Sequence, residues 1–257
     1  MEILDEVKKD YVCDLVRKKK RVGERAFDEY RKISIERNVV SSAEGSARVK
    51  IGDTMVLAAV KLGIATPFAD RPTEGVLQTN SELLPLASST FESGPPGEQS
   101  IELARVVDRG IRSAEIVDLK SFYIEPAKVW SLFIDLYVLD YDGNLIDASA
   151  LAAMAALTEA TMPKYEDGKV IRENTGKLPL KEGKVVACTF SKIGNSILVD
   201  PCRDEEIATD SFMTLSTTEK FVCASQKAGG GAGYTQKEVE DCIDMAFKKG
   251  NELRALI

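Results

Sequence analysis

Two adjacent segments restrict this chain more than any others. Lys128-Val-Trp-Ser-Leu-Phe-Ile-Asp-Leu-Tyr-Val-Leu139 is apolar at nearly every position and rich in β-branched and aromatic residues. Such a run reads as a strand central in a sheet. The turn Asp140-Tyr-Asp-Gly-Asn144 leads into Asp147-Ala-Ser-Ala-Leu-Ala-Ala-Met-Ala-Ala-Leu-Thr158. This second segment is helix-forming and apolar nearly all round, so its helix is buried and packs closely against its neighbours. Asp147 or Ser149 is placed to cap it.

The surrounding pattern extends the same architecture. Residues 1 to 20 predict a helix with Ile3, Leu4, Val7, Tyr11 and Leu15 as its apolar stripe, ending in the basic run Arg17-Lys-Lys-Lys-Arg21 as a solvated end. Arg31–Arg37, Ser46–Ile51 and Thr54–Leu62 predict a strand meander, and Gly75–Asn80 a further strand. Lys164 to Gly183 is charged and interrupted by Gly168, Gly176 and Pro179, which reads as a linker. Strands follow at 185–190, 196–199, 211–215 and 221–225. Thr235 with Glu238 is a capping box for a last amphipathic helix carrying Val239, Ile243, Ala246 and Leu253. The class is α+β with two similar lobes: an N-terminal helix and basic segment over 1–27, lobe one over 28–163, the linker over 164–183 and lobe two over 184–257.

Composition narrows the chemistry. Histidine is absent, which removes the usual Ser-His-Asp and Cys-His nucleophile systems and His-ligated zinc. A formal net charge of −7 argues against wholesale coating of nucleic acid, so any such contact is local. The five widely spaced cysteines, with no C-x-x-C, read as reduced thiols of a cytoplasmic protein. No signal-like or membrane-length apolar run occurs.

One local exception to the negative sign lies in Glu98–Ala114. Arg105, Arg109 and Arg112 are spaced i, i+4, i+7, within roughly 60° of one helix face. Leu103, Ala104, Val107, Ile111 and Ala114 occupy the opposite, burying face. Three guanidiniums on one stripe make a phosphate clamp. Glu102 with Arg105 and Asp108 with Arg112 equally make ordinary helix pairs, and spacing alone leaves both readings open. The run Gly229-Gly-Gly-Ala-Gly233 lacks the P-loop spacing and a following Lys-Ser or Lys-Thr, which favours a strand-to-helix connection. Asp204 to Asp210 reads as an acidic surface loop able to contribute to Mg²⁺ binding only with help from substrate phosphates.

Several motifs in order carry a resemblance. Asp28–Glu36, Ala43–Ala47, Gly52–Thr54, Phe91–Glu98, Ser100–Arg112, Asp142–Ala153 and Asp200-Pro201 resemble the RNase PH family over nearly the whole chain, and within it the non-catalytic ring subunits of the archaeal exosome. The resemblance implies an RNase PH-like fold with ribosomal-protein-like βαβ topology. It also implies a hexameric ring that alternates three catalytic with three non-catalytic subunits, topped by RNA-binding cap subunits, with RNA threading its pore. The reaction of such a ring is 3′-to-5′ phosphorolysis, in which inorganic phosphate is the nucleophile and no histidine is needed. The chain itself is expected to hold no cofactor or metal; phosphate, with Mg²⁺ as a candidate ion, belongs to the complex.

The departures from the family pattern bear on catalysis. Catalytic members place a Gly-Ser/Thr-Arg phosphate cradle at the start of the buried helix, whereas the corresponding turn here is Gly143-Asn144-Leu145. A lost guanidinium weakens phosphate positioning severely. The family's pair of Asp residues six apart matches Asp204 and Asp210 by spacing, but an ungapped register places Glu206 and Phe212 there. By resemblance Arg109 and Arg112 hold RNA phosphates and Arg105 is structural. The expected role is therefore a non-catalytic subunit that shapes its partner's site and contacts RNA. The rival readings are an active phosphorolytic RNase, a small-molecule kinase using Gly229–Gly233 and a plain RNA-binding module that binds as a monomer.

Overall fold

The fold is described from a computed structural model covering residues 3–166 and 168–257. Helix α1 (Ile3–Arg17) packs through Val12 and Val16 onto Ile193, Leu198 and Ala208 of the second lobe. This corrects the expected stripe: Leu4, Val7 and Tyr11 are exposed, and the side chain of Ile3 lies outside the described residues. The helix carries two apolar faces, and only the one turned to the second lobe is covered. The basic run is also divided. Arg17 to Lys20 are solvated, but Arg21 is 2% exposed.

Strands β1 (Ile33–Arg37), β2 (Gly45–Ile51) and β3 (Thr54–Ala65) form the expected antiparallel meander. The β2–β3 turn places Gly52 at φ +59°, the left-handed region where glycine is favoured. Strand β4 (Val76–Leu83), helix α2 (Glu98–Ser113), the short β5 (Tyr123–Glu125) and β6 (Lys128–Asp140) complete the sheet in the order β1-β2-β3-β6-β4, with β5 on the end of β6. β4 and β6 run parallel. A parallel pair needs a crossover, and α2 supplies it. β6 is central as expected, but it is buried at consecutive positions only from Val129 to Leu132; beyond that, burial alternates.

Helix α3 (Leu145–Glu159) touches β2 and β3 on one side and the second lobe's β9 on the other. That placement accounts for its all-round apolar sequence. Its alanines permit close approach: a Cβ on Gly45 of β2 would stand 2.4 Å from the Ala156 carbonyl oxygen and 2.7 Å from the Ala160 Cα. The N-cap is Asn144 in a left-handed conformation, without a side-chain cap bond. Neither Asp147 nor Ser149 caps the helix; Asp147 is drawn instead to partners in β9, described below.

Residues 164–183, read as a linker, are mostly a β-ribbon of β7 (Thr161–Glu166) and β8 (Lys169–Lys177). Glu166, Lys169, Arg172, Glu173 and Lys177 are exposed, while Met162, Tyr165 and Val170 pack on the first lobe. The second lobe contains β9 (Val186–Ile193), β10 (Ser196–Val199), α4 (Arg203–Ala208), β11 (Ser211–Thr217), β12 (Val222–Ala228) and α5 (Gln236–Arg254). Its antiparallel sheet has the order β10-β9-β11-β12. The Thr235–Glu238 capping box starts α5 as expected, and Cys242 and Ala246 pack onto Cys188, Phe190 and Leu215. All five cysteines are free thiols. No described helix is long and apolar enough to cross a membrane.

Candidate nucleic-acid interface

Leu103, Val107 and Ile111 bury the inner side of α2, and Ser100 exchanges hydrogen bonds with Ser81 of β4 at the helix's first turn. Fixing that side turns Arg105, Arg109 and Arg112 outward, and all three are exposed. They do not share one environment. Arg105 and Arg109 line a groove of about 530 Å³ between α2 and β12, facing Thr214, Ser216, Ser225 and Gln226. Neither guanidinium has a hydrogen bond or ion pair among the described residues. Arg112 lines a different groove of about 470 Å³, with Arg71, Lys120 and Lys181. Its Nε and Nη2 donate to the two Asp108 carboxylate oxygens at 3.0 Å each, and Nη2 also donates to the Leu77 carbonyl at 3.0 Å. The expected Asp108–Arg112 pair is present. The expected Glu102–Arg105 pair is not: the Glu102 carboxylate accepts Gln226 Nε2 from β12 and clasps the two lobes across the groove.

The second element is the turn before α3. Gly143 has φ +85°, and a Cβ there would lie 2.6 Å from the Pro201 carbonyl oxygen. Only glycine lets the turn sit this close to the segment entering α4. The Asn144 backbone N–H donates to Glu206 at 2.7 Å, and the Tyr141 hydroxyl donates to the same carboxylate at 2.6 Å. Burial pushes the Glu206 carboxyl up, against the pull of these two donors. The Asn144 Nδ2 donates to Asp147 at 3.0 Å and to Asp200 at 2.8 Å. Leu145 is buried. The adjoining cavity of about 320 Å³ is lined by Tyr141, Leu145, Thr189, Glu206, Phe212 and Thr214 among others, and no lysine or arginine is among its lining residues.

Behind the turn, Asp147 is fully enclosed. It accepts the Tyr30 hydroxyl at 2.6 Å, the Thr189 hydroxyl at 2.7 Å and the Thr189 N–H at 3.0 Å. Burial pushes its carboxyl up to about 6 in spite of those donors. Beside it, Asp200 accepts Arg31 and Asn144, and although burial opposes it, the Arg31 guanidinium holds this carboxyl below the usual range.

The acidic stretch 204–210 is not a loop. It begins as α4, where each acid has its own partner. Asp204 takes Lys8 at 2.7 Å, Glu205 takes Arg21 at 2.7 Å, and Glu206 takes the α3 turn. Asp210 accepts the Gly194 N–H at 2.7 Å. Of the two sequence registers, the structure brings Glu206 and Phe212 to the turn and leaves Asp204 and Asp210 away from it. No group of three or more His, Cys, Asp or Glu able to hold a metal is found among the described residues. The Gly229–Gly233 segment joins β12 to α5. Its Gly230 and Gly233 carbonyls accept Lys227 and Lys192, whereas a phosphate loop must present N–H groups. Sequence reasoning does not find Tyr141 and offers Glu206 only as an alternative register; no local motif marks their meeting, which spans 65 residues.

Comparison with known proteins shows the family. Residues 29–163 match the first domain of the 3′ exoribonuclease family and residues 183–249 its second domain. The exosome complex component Rrp42 of Methanothermobacter thermautotrophicus is 46% identical over 98% of this chain and 95% of its own length. Its counterpart in Thermococcus kodakarensis is 47% identical over 99% and 95%. A chain of the Archaeoglobus fulgidus exosome with RNA bound to the active site superposes with a TM-score of 0.91 at 45% identity, covering 99% of both chains.

Proposed function

The chain belongs to the 3′ exoribonuclease family through both of its domains, and from that premise we propose that it is a non-catalytic ring subunit of an archaeal-type exosome. In this reading it alternates with a catalytic RNase PH-like partner in a hexameric cytoplasmic ring that carries RNA-binding cap subunits. It completes the pore, shapes the partner's site and contacts RNA during 3′-to-5′ phosphorolytic degradation. Phosphate, and Mg²⁺ where needed, act in the complex rather than on a site of this chain.

One observation carries the non-catalytic part. Where catalytic relatives present an arginine to the attacking phosphate, this chain presents Leu145, and the cavity beside it is lined by two carboxylates, Glu102 and Glu206, and no cation. Aligned donors and positive charge are what stabilise a transferring phosphoryl group. RNA contact is assigned to Arg105 and Arg109, the two guanidiniums without internal partners. Arg112, held by Asp108 and the Leu77 carbonyl, is assigned to support the helix and to the neighbouring groove. The rival of an independent RNase lacks a cradle arginine, and the rival of a kinase lacks a phosphate-facing loop.

The isolated chain, mixed with RNA, inorganic phosphate and Mg²⁺, is expected to release no nucleoside diphosphate, and release is expected once the catalytic partner is added. Turnover by the chain alone would overturn the proposal.

A further inference from the structure

We propose that Glu206 is a specificity-determining residue that closes this chain's degenerate cradle to phosphate by placing the chain's own carboxylate there. The inference rests on the non-catalytic reading and deepens it: the missing arginine at Leu145 removes the group that would position phosphate for reaction, and the internal anion keeps phosphate out of the turn.

The geometry is specific. One Glu206 oxygen accepts the Asn144 N–H at 2.7 Å and the other accepts the Tyr141 hydroxyl at 2.6 Å. The first N–H groups of a helix are the natural donors for a phosphate, and the leading one of α3, that of the N-cap Asn144, is already occupied by an oxygen anion. Glu206 cannot drift away easily. On α4 it directly follows Glu205, which is anchored to Arg21, and the helix start is tied back to the turn by the Arg203 N–H donating to the Asp142 carbonyl at 3.2 Å. Tyr141, which holds the second oxygen, is itself stacked on Phe91 with ring centroids 5.2 Å apart. A phosphate entering the cavity therefore meets a fixed carboxylate with no facing lysine or arginine, and like charges at such range repel strongly in a partly dry site.

The test uses the full-length chain with Asn selectively labelled with ¹⁵N, and inorganic phosphate as the probe. In the wild type the Asn144 amide is expected not to shift on phosphate titration. In Glu206→Ala it is expected to shift saturably, with chloride as the inert control. Should Glu206→Ala fail to fold, Glu206→Ser carries the same expectation. A phosphate-dependent Asn144 shift in the wild type overturns the assignment, and so does its absence in a folded Glu206 variant. A parallel RNA turnover assay separates the two claims. If the titration fails while the lone chain stays inactive, only the role of Glu206 falls; if the lone chain releases nucleoside diphosphate, the non-catalytic reading falls.

Discussion

Arg21 and Glu205, 184 residues apart in the chain, form a two-pronged ion pair whose side chains are both 0% exposed. Arg21 Nε and Nη2 donate to the two Glu205 oxygens at 2.9 and 2.7 Å, and the remaining N–H groups reach the carbonyls of Ala26, Val199 and Asp200. The segment after α1 is thereby bolted to the α4 start. Removing Arg21 leaves the buried Glu205 carboxylate with only a longer contact to Arg25, at 3.6 Å. Arg21→Met is expected to lower stability by about 3–5 kcal/mol, measured by urea unfolding. Adding Glu205→Gln should recover part of the loss, because the stranded charge is gone; a double variant no more stable than the single one would refute the charge explanation.

Asp147 gives a pH signature. Its carboxyl is raised from 3.8 to about 6 in the folded chain, so folding favours its protonated form. Its contribution to stability is full below 3.8 and is lost as pH rises through about 6. A displacement of that size corresponds to about 3 kcal/mol. Asp200, lowered by Arg31 after burial is overcome, acts in the opposite sense, contributing at higher pH and losing its contribution as pH falls. Asp147→Asn removes only the first effect. Unfolding free energies of wild type and variant, compared between about pH 5 and about pH 7, should move in the variant's favour as pH rises. A constant offset across that interval would show that Asp147 does not titrate there.

Gly45 tests the packing of the buried helix. Its missing Cβ is what allows β2 to lie against the Ala156 carbonyl and Ala160. Gly45→Ala forces backbone apart and is expected to cost at least about 1–3 kcal/mol, read from the denaturation midpoint. A neutral substitution would mean that α3 is free to shift.

Arg112 separates support from contact. Its pair with Asp108 is partly exposed, so Arg112→Ala should cost no more than about 1 kcal/mol and weaken RNA binding by the assembled ring less than Arg109→Ala does. The reverse order, compared at one salt concentration, would move the phosphate contact to Arg112.

Much of this fold is legible in the sequence because it is written in local periodicity. The β1–β3 meander, β6, α3 and the capped start of α5 all follow from alternation, apolar runs or a capping box within a few residues. The features that periodicity does not reveal depend on pairings across long separations. The buried Arg21 looks like one more solvated cation until Glu205 is brought beside it. The α1 stripe reads as Leu4, Val7 and Tyr11 because both helix faces are apolar, and only the position of the second lobe selects Val12 and Val16. The β7–β8 ribbon is masked by its charged, glycine-interrupted sequence. At the candidate site, the spacing of Arg105, Arg109 and Arg112 locates the outward face of α2. It does not tell which arginine has a carboxylate waiting, nor that Glu206 rather than Asp204 meets the Asn144 amide.

The most direct measurement is RNA degradation by the ring reconstituted from this chain and its catalytic partner, with Arg105→Glu and Arg109→Glu introduced together and assembly verified by mass. The expected result is an intact ring, RNA binding weakened by at least tenfold and slower phosphorolysis. The salt dependence of binding to single-stranded RNA should become shallower by roughly 0.7 for each phosphate no longer neutralised. An intact double-variant ring that binds and degrades RNA as the wild type does would contradict the assignment of RNA contact to this face of α2.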